Sequence, residues 1–459
     1  MKRKTVMGSG KSAQIKRSGI VMAGVMFLAG ISGCGDAAAE IQAVKEEMRS
    51  EGHDFWYEGV RDLEGAENIG DIESIEGAGD IGNSENMEDA ADEKETEKIA
   101  ELCRKLYKTA EQKNDPDHIE TVSRLINGLG EAGYAAVDSE NQVDMAEYAQ
   151  AVRFCEKAEA KKEAELRIAV TDYPSGFVIY HLQTKDGKIT VNKSGYVYKN
   201  GTAEKTAAGS YEAEYWEYTK EGYLIFSGSW FSEEMYVLVL EDMKEHTALR
   251  IQPLEAACRE LNRKYILPAG YEKNNLFLTD WSEEDFGELD FYDAFDCCYE
   301  MMCGQPVPYT ADGDLNAGTA YRIPAEIFEG IIRKYFDINA RTLRESTVYF
   351  PEDMTYEYMP RGFYEGGYCE IPYPEVEAYT ENGDGTVTLF VNAVYPKENT
   401  SGAYRHKTVI RPLDDGSFQY VSNQMIYEGE EYDAWWNTKR LSGEEREILY
   451  DKGNGEAEG

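Results

Sequence analysis

The chain has 459 residues, 47 Lys and Arg against 87 Asp and Glu, a formal net charge of −40 and 42% apolar residues. That balance argues against a nucleic-acid binder, because the phosphate backbone is held by Lys and Arg, and against direct contact with anionic lipid. It leaves basic partners and divalent cations open, and the length calls for two or three domains.

The N-terminus reads as an export signal. Residues 1–17 carry Lys2, Arg3, Lys4, Lys11, Lys16 and Arg17 and no acid, and residues 19–31 are apolar or small. The run Leu28-Ala29-Gly30-Ile31-Ser32-Gly33-Cys34 then has the form of a lipoprotein cleavage site. The apolar stretch falls short of the roughly 20 residues a spanning helix needs. The expectation is a signal peptide over 1–33 and lipidation of Cys34 by two acyl chains of the palmitate type, enough for stable anchoring. The chain would then sit on the outer face of the cytoplasmic membrane of a Gram-positive-type cell. Gly8-Ser9-Gly10-Lys11-Ser12 imitates a phosphate-binding loop but has Thr5 where the first glycine belongs.

Residues 34–97 read as a membrane-proximal segment and tether. Between Asp62 and Glu93 there are twelve acids and no Lys or Arg, so this stretch cannot bury enough apolar surface to fold by itself. Helical spacing follows over 98–165: Ile99, Leu102, Cys103, Leu106 and Tyr107, then Ile119, Val122, Ile126 and Leu129 after Asp115-Pro116, then a helix over about Val143 to Ala164.

From 166 to 252 the pattern changes to short strands, Glu165–Thr171, Gly176–Gln183, Lys188–Asn192, Gly195–Lys199, Tyr211–Tyr218, Tyr223–Trp230, Met235–Glu241 and Leu249–Gln252. Asp186-Gly187 and Asn200-Gly201 mark hairpin turns. These predict an antiparallel meander, as a curved sheet or a small barrel. Residues 253–459 predict a C-terminal α+β domain. Its helices are marked by Leu254 to Leu261, by Phe286 to Met302 and by Ile327 to Phe336 after Pro324, and its strands fall at Thr386–Tyr395, Tyr404–Leu413 and Ser417–Met425. Helices beside hairpin-connected sheets give the α+β class.

Three stretches carry a resemblance: Gly176-Phe177-Val178-Ile179-Tyr180, Lys273-Asn274-Asn275-Leu276-Phe277-Leu278-Thr279-Asp280-Trp281-Ser282, and Gly416-Ser417-Phe418-Gln419-Tyr420-Val421-Ser422-Asn423-Gln424. Over roughly residues 98–425 the chain resembles an uncharacterised family of clostridial lipoproteins. The resemblance implies export from a Gram-positive cell. It brings no activity and no catalytic residues.

The acids after Trp281, namely Glu283, Glu284 and Asp285, could form a glycosidase pair, but Ser282 before them reads as a helix N-cap. Asp312, Asp314 and Asn316 alternate like a calcium loop, yet Ala317 replaces its glycine and Ile323 its closing glutamate. His53, His118, His181, His246 and His406 are scattered without a triad or zinc motif. After Cys34, seven cysteines remain, Cys103, Cys155, Cys258, Cys297, Cys298, Cys303 and Cys369, with no CxxC.

The aromatics are the strongest surface signal: Trp216, Trp230, Trp281, Trp435 and Trp436, with Tyr215, Tyr218, Tyr356, Tyr358, Tyr364 and Tyr368 beside them. Flat rings stack on sugars or anchor proteins. The sequence therefore predicts a lipid-anchored binding or interaction module at the cell envelope, without cofactor or metal. Its candidate partners are the membrane through Cys34, a cell-wall glycan and an envelope protein. A cell-wall hydrolase and a non-catalytic scaffold are the alternatives.

Overall fold

The computed structural model describes residues 94, 97–104, 106–108, 118–199, 202–229, 244–310, 320–362, 365–366, 370–427, 432–446 and 448. Cys34, the signal peptide, the acidic stretch 62–93, Asp115-Pro116, Asn200-Gly201, Trp230, the Met235–Glu241 strand, the Asp312–Asn316 loop, Tyr364, Tyr368, Cys369 and His53 lie outside the described residues.

The elements follow as α1 (His118–Glu131), β1 (Ala135–Asp138), α2 (Tyr148–Glu159), β2 (Ala164–Asp172), β3 (Gly176–Lys185), β4 (Lys188–Lys199) and β5 (Thr202–Glu212). Next come β6 (Tyr215–Tyr218), β7 (Tyr223–Gly228), β8 (Glu245–Arg250), α3 (Ala256–Leu261) with a π-helical extension Asn262–Ile266, and β9 (Trp281–Ser282). The chain continues through α4 (Phe291–Cys303), β10 (Tyr321–Pro324), α5 (Ala325–Tyr335), α6 (Ala340–Glu345), β11 (Tyr349–Phe350) and β12 (Thr355–Tyr358). It closes with β13 (Tyr373–Glu381), β14 (Val387–Tyr395), β15 (Thr400–Pro412) and β16 (Phe418–Ile426). This is an α+β fold with sheets ordered β1-β2-β3-β4-β5, β6-β7-β8, β10-β12-β11 and β13-β14-β15-β16-β9, the last three antiparallel throughout. Among the described residues no sheet closes into a barrel, and the predicted meander is divided between the first two sheets.

The described residues form two compact units that interleave along the sequence: those up to residue 129 with 170–179 and 193–209, and those within 130–169, 180–192 and from 210 onward. The first is organised around Tyr107. Its hydroxyl pairs with Thr171 Oγ1 at 2.8 Å, and its ring lies 4.8 Å from Tyr198 and 5.5 Å from Tyr173. Phe177 stacks on Tyr196 at 5.0 Å. Gly176 is required there, because a Cβ would fall 2.0 Å from the Tyr196 carbonyl oxygen.

The second unit is built on the sheet β13 to β16. Period-two alternation, shifted by a bulge in β16 between Tyr420 and Ser422, sends Val376, Leu389, Val391, Ala393, Tyr404, Ile410, Tyr420 and Met425 to its inner face, where they join the core that α4 and α5 complete through Phe295, Phe328, Ile331 and Ile332. Aromatic stacking carries this core outward, with Phe295 on Phe328 at 4.7 Å and Phe328 on Tyr356 at 4.5 Å. On the other face, Tyr223, Ile225 and Ala248 of β7 and β8 bury Val394.

One expected boundary moves. Ser282 does not cap a helix. It ends β9, and its Oγ accepts from the Glu284 and Asp285 amides in a turn. The helix starts at Phe291, where Asp290 accepts from the amides of Tyr292 and Asp293, and it stops at Gly304 in the left-handed conformation.

Candidate functional site

Strand register sets the site. Glu375, Asn392, Arg405 and Ile426 pair across β13, β14, β15 and β16, so one row crosses the outer face of the sheet. The small sheet covers one end of this row. Glu375 is buried and forms an ion pair with Arg250 of β8, and it accepts from the Tyr223 hydroxyl at 2.9 Å. Asn392 is fully buried, and its amide donates to the Ser401 carbonyl. Arg405 is half-buried and Ile426 is exposed. The row thus emerges from under the turn between β6 and β7.

A groove of about 500 Å³ opens at that point, lined by Glu217 of β6, by Thr219, Lys220 and Glu221 of the turn, and by Thr400 to Arg405, Ile426 and Tyr427. Gly222, at φ +91°, lets the turn close and leaves Glu221 pointing at β15, where it accepts from Ser401 Oγ and Arg405 Nη2, both at 2.9 Å. Lys220 Nζ stands 3.6 Å from the same carboxylate, and Arg405 Nε stands 3.9 Å from Glu377. Burial opposes charge on Glu221, but the Ser401 hydrogen bond, Lys220 and Arg405 outweigh it and hold the carboxyl below its ordinary value. Glu377 goes the other way: burial raises it and Arg405 offsets this only in part. An ionised Glu221 is an acceptor and charge partner, not a proton donor near neutral pH.

The other polar clusters are built into the core. Asp293 accepts from Arg361 at 3.0 and 2.7 Å and from Arg440 Nε at 2.8 Å, all three being buried. Arg446 pairs with Glu365 at 2.6 Å in full burial. Glu283, a member of the acidic trio after Trp281, receives both terminal nitrogens of Arg411 at 2.6 and 2.7 Å, a bidentate structural pair. Of the histidines, His181 faces Glu165 at 3.4 Å, His246 contacts Asn399 at 3.2 Å, and His118 lies 5.5 Å from the Tyr173 ring.

His406 is fully buried between Tyr271, Thr408 and Asn423 and stacks on Phe277 at 5.0 Å. Burial lowers its pKa from 6.5 to about 3. Below pH 6.5 the unfolded chain therefore takes up a proton that the folded chain refuses. The stability this group contributes is complete above pH 6.5 and falls by about 1.4 kcal/mol per pH unit down to pH 3. Its ring resonances in NMR should remain those of neutral imidazole at pH 5; a midpoint near 6.5 would contradict the burial argument.

The predicted aromatic contacts divide. Trp281 is buried, donating from Nε1 to the Leu276 carbonyl at 2.8 Å, and Trp436 is buried among Tyr271, Tyr395 and Tyr404. Neither offers a face to a ligand in this fold, and Tyr356 and Tyr358 are buried likewise. Trp216 is half-buried and donates to the Gly187 carbonyl at 3.0 Å. Trp435 is exposed and donates to Glu398 at 2.8 Å. The register and the turn therefore bring together Glu221, Arg405, Gly402 and Tyr427, which local sequence signals did not single out. Cys103, Cys155, Cys258, Cys297, Cys298 and Cys303 are free thiols. Among the described residues no helix is long and apolar enough to cross a membrane, and no group of His, Cys, Asp and Glu is arranged to hold a metal ion.

The sequence profile of a family of unknown function, DUF6070, matches residues 89–440. No curated protein and no solved structure matches the chain.

Proposed function

The chain belongs to DUF6070, a family of unknown function, and from that premise we propose that it is an exported, lipid-anchored binding module of a clostridial cell envelope. The observation that supports binding is the open groove between the β6–β7 turn and the outer face of β15 and β16, where a fixed carboxylate and guanidinium stand beside exposed Tyr427. Convergent polar groups with an aromatic edge are the lining of a ligand site. The ionic pairs of the core hold Asp293, Glu365 and Glu283 in structural roles, which weighs against a hydrolase using them. Two acyl chains on Cys34 would keep the groove at the envelope, and an acidic tether would give it reach.

Retention on isolated envelopes tests the proposal. The full chain in detergent should bind saturably and release no soluble fragments. In cells, Cys34→Ala should leave the membrane fraction; unchanged membrane retention with normal processing would remove the anchor from the account.

A further inference from the structure

Resting on the binding reading above, we infer that the groove over Gly402 takes a neutral, polyhydroxylated ligand, the repeating unit of a glycan. Gly402 is exposed on β15 where three polar groups converge. A Cβ there would lie 3.2 Å from Asn392 Oδ1, 3.8 Å from Glu221 Oε1 and 3.9 Å from Arg405 Nη2. The missing side chain leaves a shallow cradle beside Glu221 and Arg405. Among the described residues Asn392 Oδ1 has no hydrogen-bond partner and is fully buried under Gly402, so it supports the strand from below while Glu221 and Arg405 present the groups a ligand can reach.

Charge selects the ligand class. The lining holds Glu217 and Glu221 against Lys220 and Arg405, a balanced set on a chain of net charge −40. An anion would meet two carboxylates and a cation two bases, whereas a neutral diol can donate to Glu221 and accept from Arg405 without separating the pair. Thr400 and Thr219 add hydroxyls along the groove, and the Tyr427 ring, 46% exposed, is a flat apolar surface for the C–H face of a sugar.

The test titrates the full chain in detergent with four tetrasaccharides: N-acetylglucosamine and glucose (neutral), galacturonic acid (anionic) and glucosamine (cationic). At least one neutral tetramer should bind saturably, and the charged ones at least about tenfold more weakly. Gly402→Val, which fills the cradle in a strand that accepts β-branched residues, and Tyr427→Ala, which removes the ring face, should each weaken binding about tenfold or more, about 1.4 kcal/mol. Their circular dichroism and melting temperatures should match the parent. Preference for a charged tetramer, no binding of any tetramer, or neutral binding untouched by both variants overturns the inference. The two readings fail separately. If the parent and Gly402→Val are retained equally on isolated envelopes, the groove is wrong and envelope binding stands; if neutral tetramers bind but the parent is not retained, the groove stands and envelope binding is wrong.

Discussion

Asp293→Asn is expected to destabilise the protein by about 3–5 kcal/mol, the cost of leaving buried charge without its partner. Asp293 sits in the first turn of α4, capped by Asp290, and takes hydrogen bonds from two buried guanidinium groups. Arg361 also donates to the Thr438 carbonyl at 2.7 Å, and Arg440 to the Met359 carbonyl at 2.6 Å. The carboxylate thus binds the segments around 360 and 440 to one helix. An intact buried pair adds little net stability, because desolvation offsets attraction, but removing one member leaves the desolvation uncompensated. For Arg440, burial opposes its charge while Asp296 and Asp293 more than compensate and raise its pKa. Urea unfolding at pH 7 measures the loss, and a change under about 1 kcal/mol would show that the guanidinium groups are solvated after all.

Trp436→Ala should cost a similar amount, about 3–5 kcal/mol, whereas Trp435→Ala should stay within about 0.5 kcal/mol. Trp436 is 1% exposed, stacks on Tyr404 at 6.4 Å, lies 6.2 Å from Tyr271, and donates from Nε1 to the Tyr432 hydroxyl at 3.1 Å. Truncation would open a cavity between the last strands and the C-terminal segment. Trp435 is 44% exposed, donates to Glu398 and lies 6.3 Å from the Tyr395 ring in a tilted arrangement. Equal losses in the two variants, measured by denaturant midpoints, would contradict this division.

The neighbouring tryptophans show where sequence reading stops. Both were candidates for a surface contact, and nothing local separates them; burial is decided by which side of the extended segment faces Tyr404 and Tyr271. Local chemistry was legible where it suffices. Asp186 and Gly187 both take positive φ in the β3–β4 hairpin, as two-residue turns require, and the predicted strands around them form. β5 was missed over its first nine residues because Thr202 to Ser210 are small or polar, with little strand propensity of their own. The start of α4 was misplaced because Ser282, Glu283 and Asp285 imitate a capped helix, while the pairing of Trp281 and Ser282 with β16 and the grip of Arg411 on Glu283 come from residues over 100 positions away.

The groove was hidden for the same reason. Predicting β15 from Tyr404 omitted Thr400 to Ala403, the residues that line it, and Gly402 has meaning only once Asn392 and Glu221 are placed beneath and beside it. The row Glu375, Asn392, Arg405 and Ile426 exists through register alone. The α+β class, by contrast, follows from periodicity and turn residues, which are local.

The most direct test of the account is incubation of the purified full chain with isolated cell-wall sacculi, scoring bound protein and soluble fragments in one assay. The account predicts saturable retention, no fragments above the protein-free control, and loss of retention in Gly402→Val. Release of soluble glycan or peptide fragments, or absence of retention by the parent chain, would contradict it.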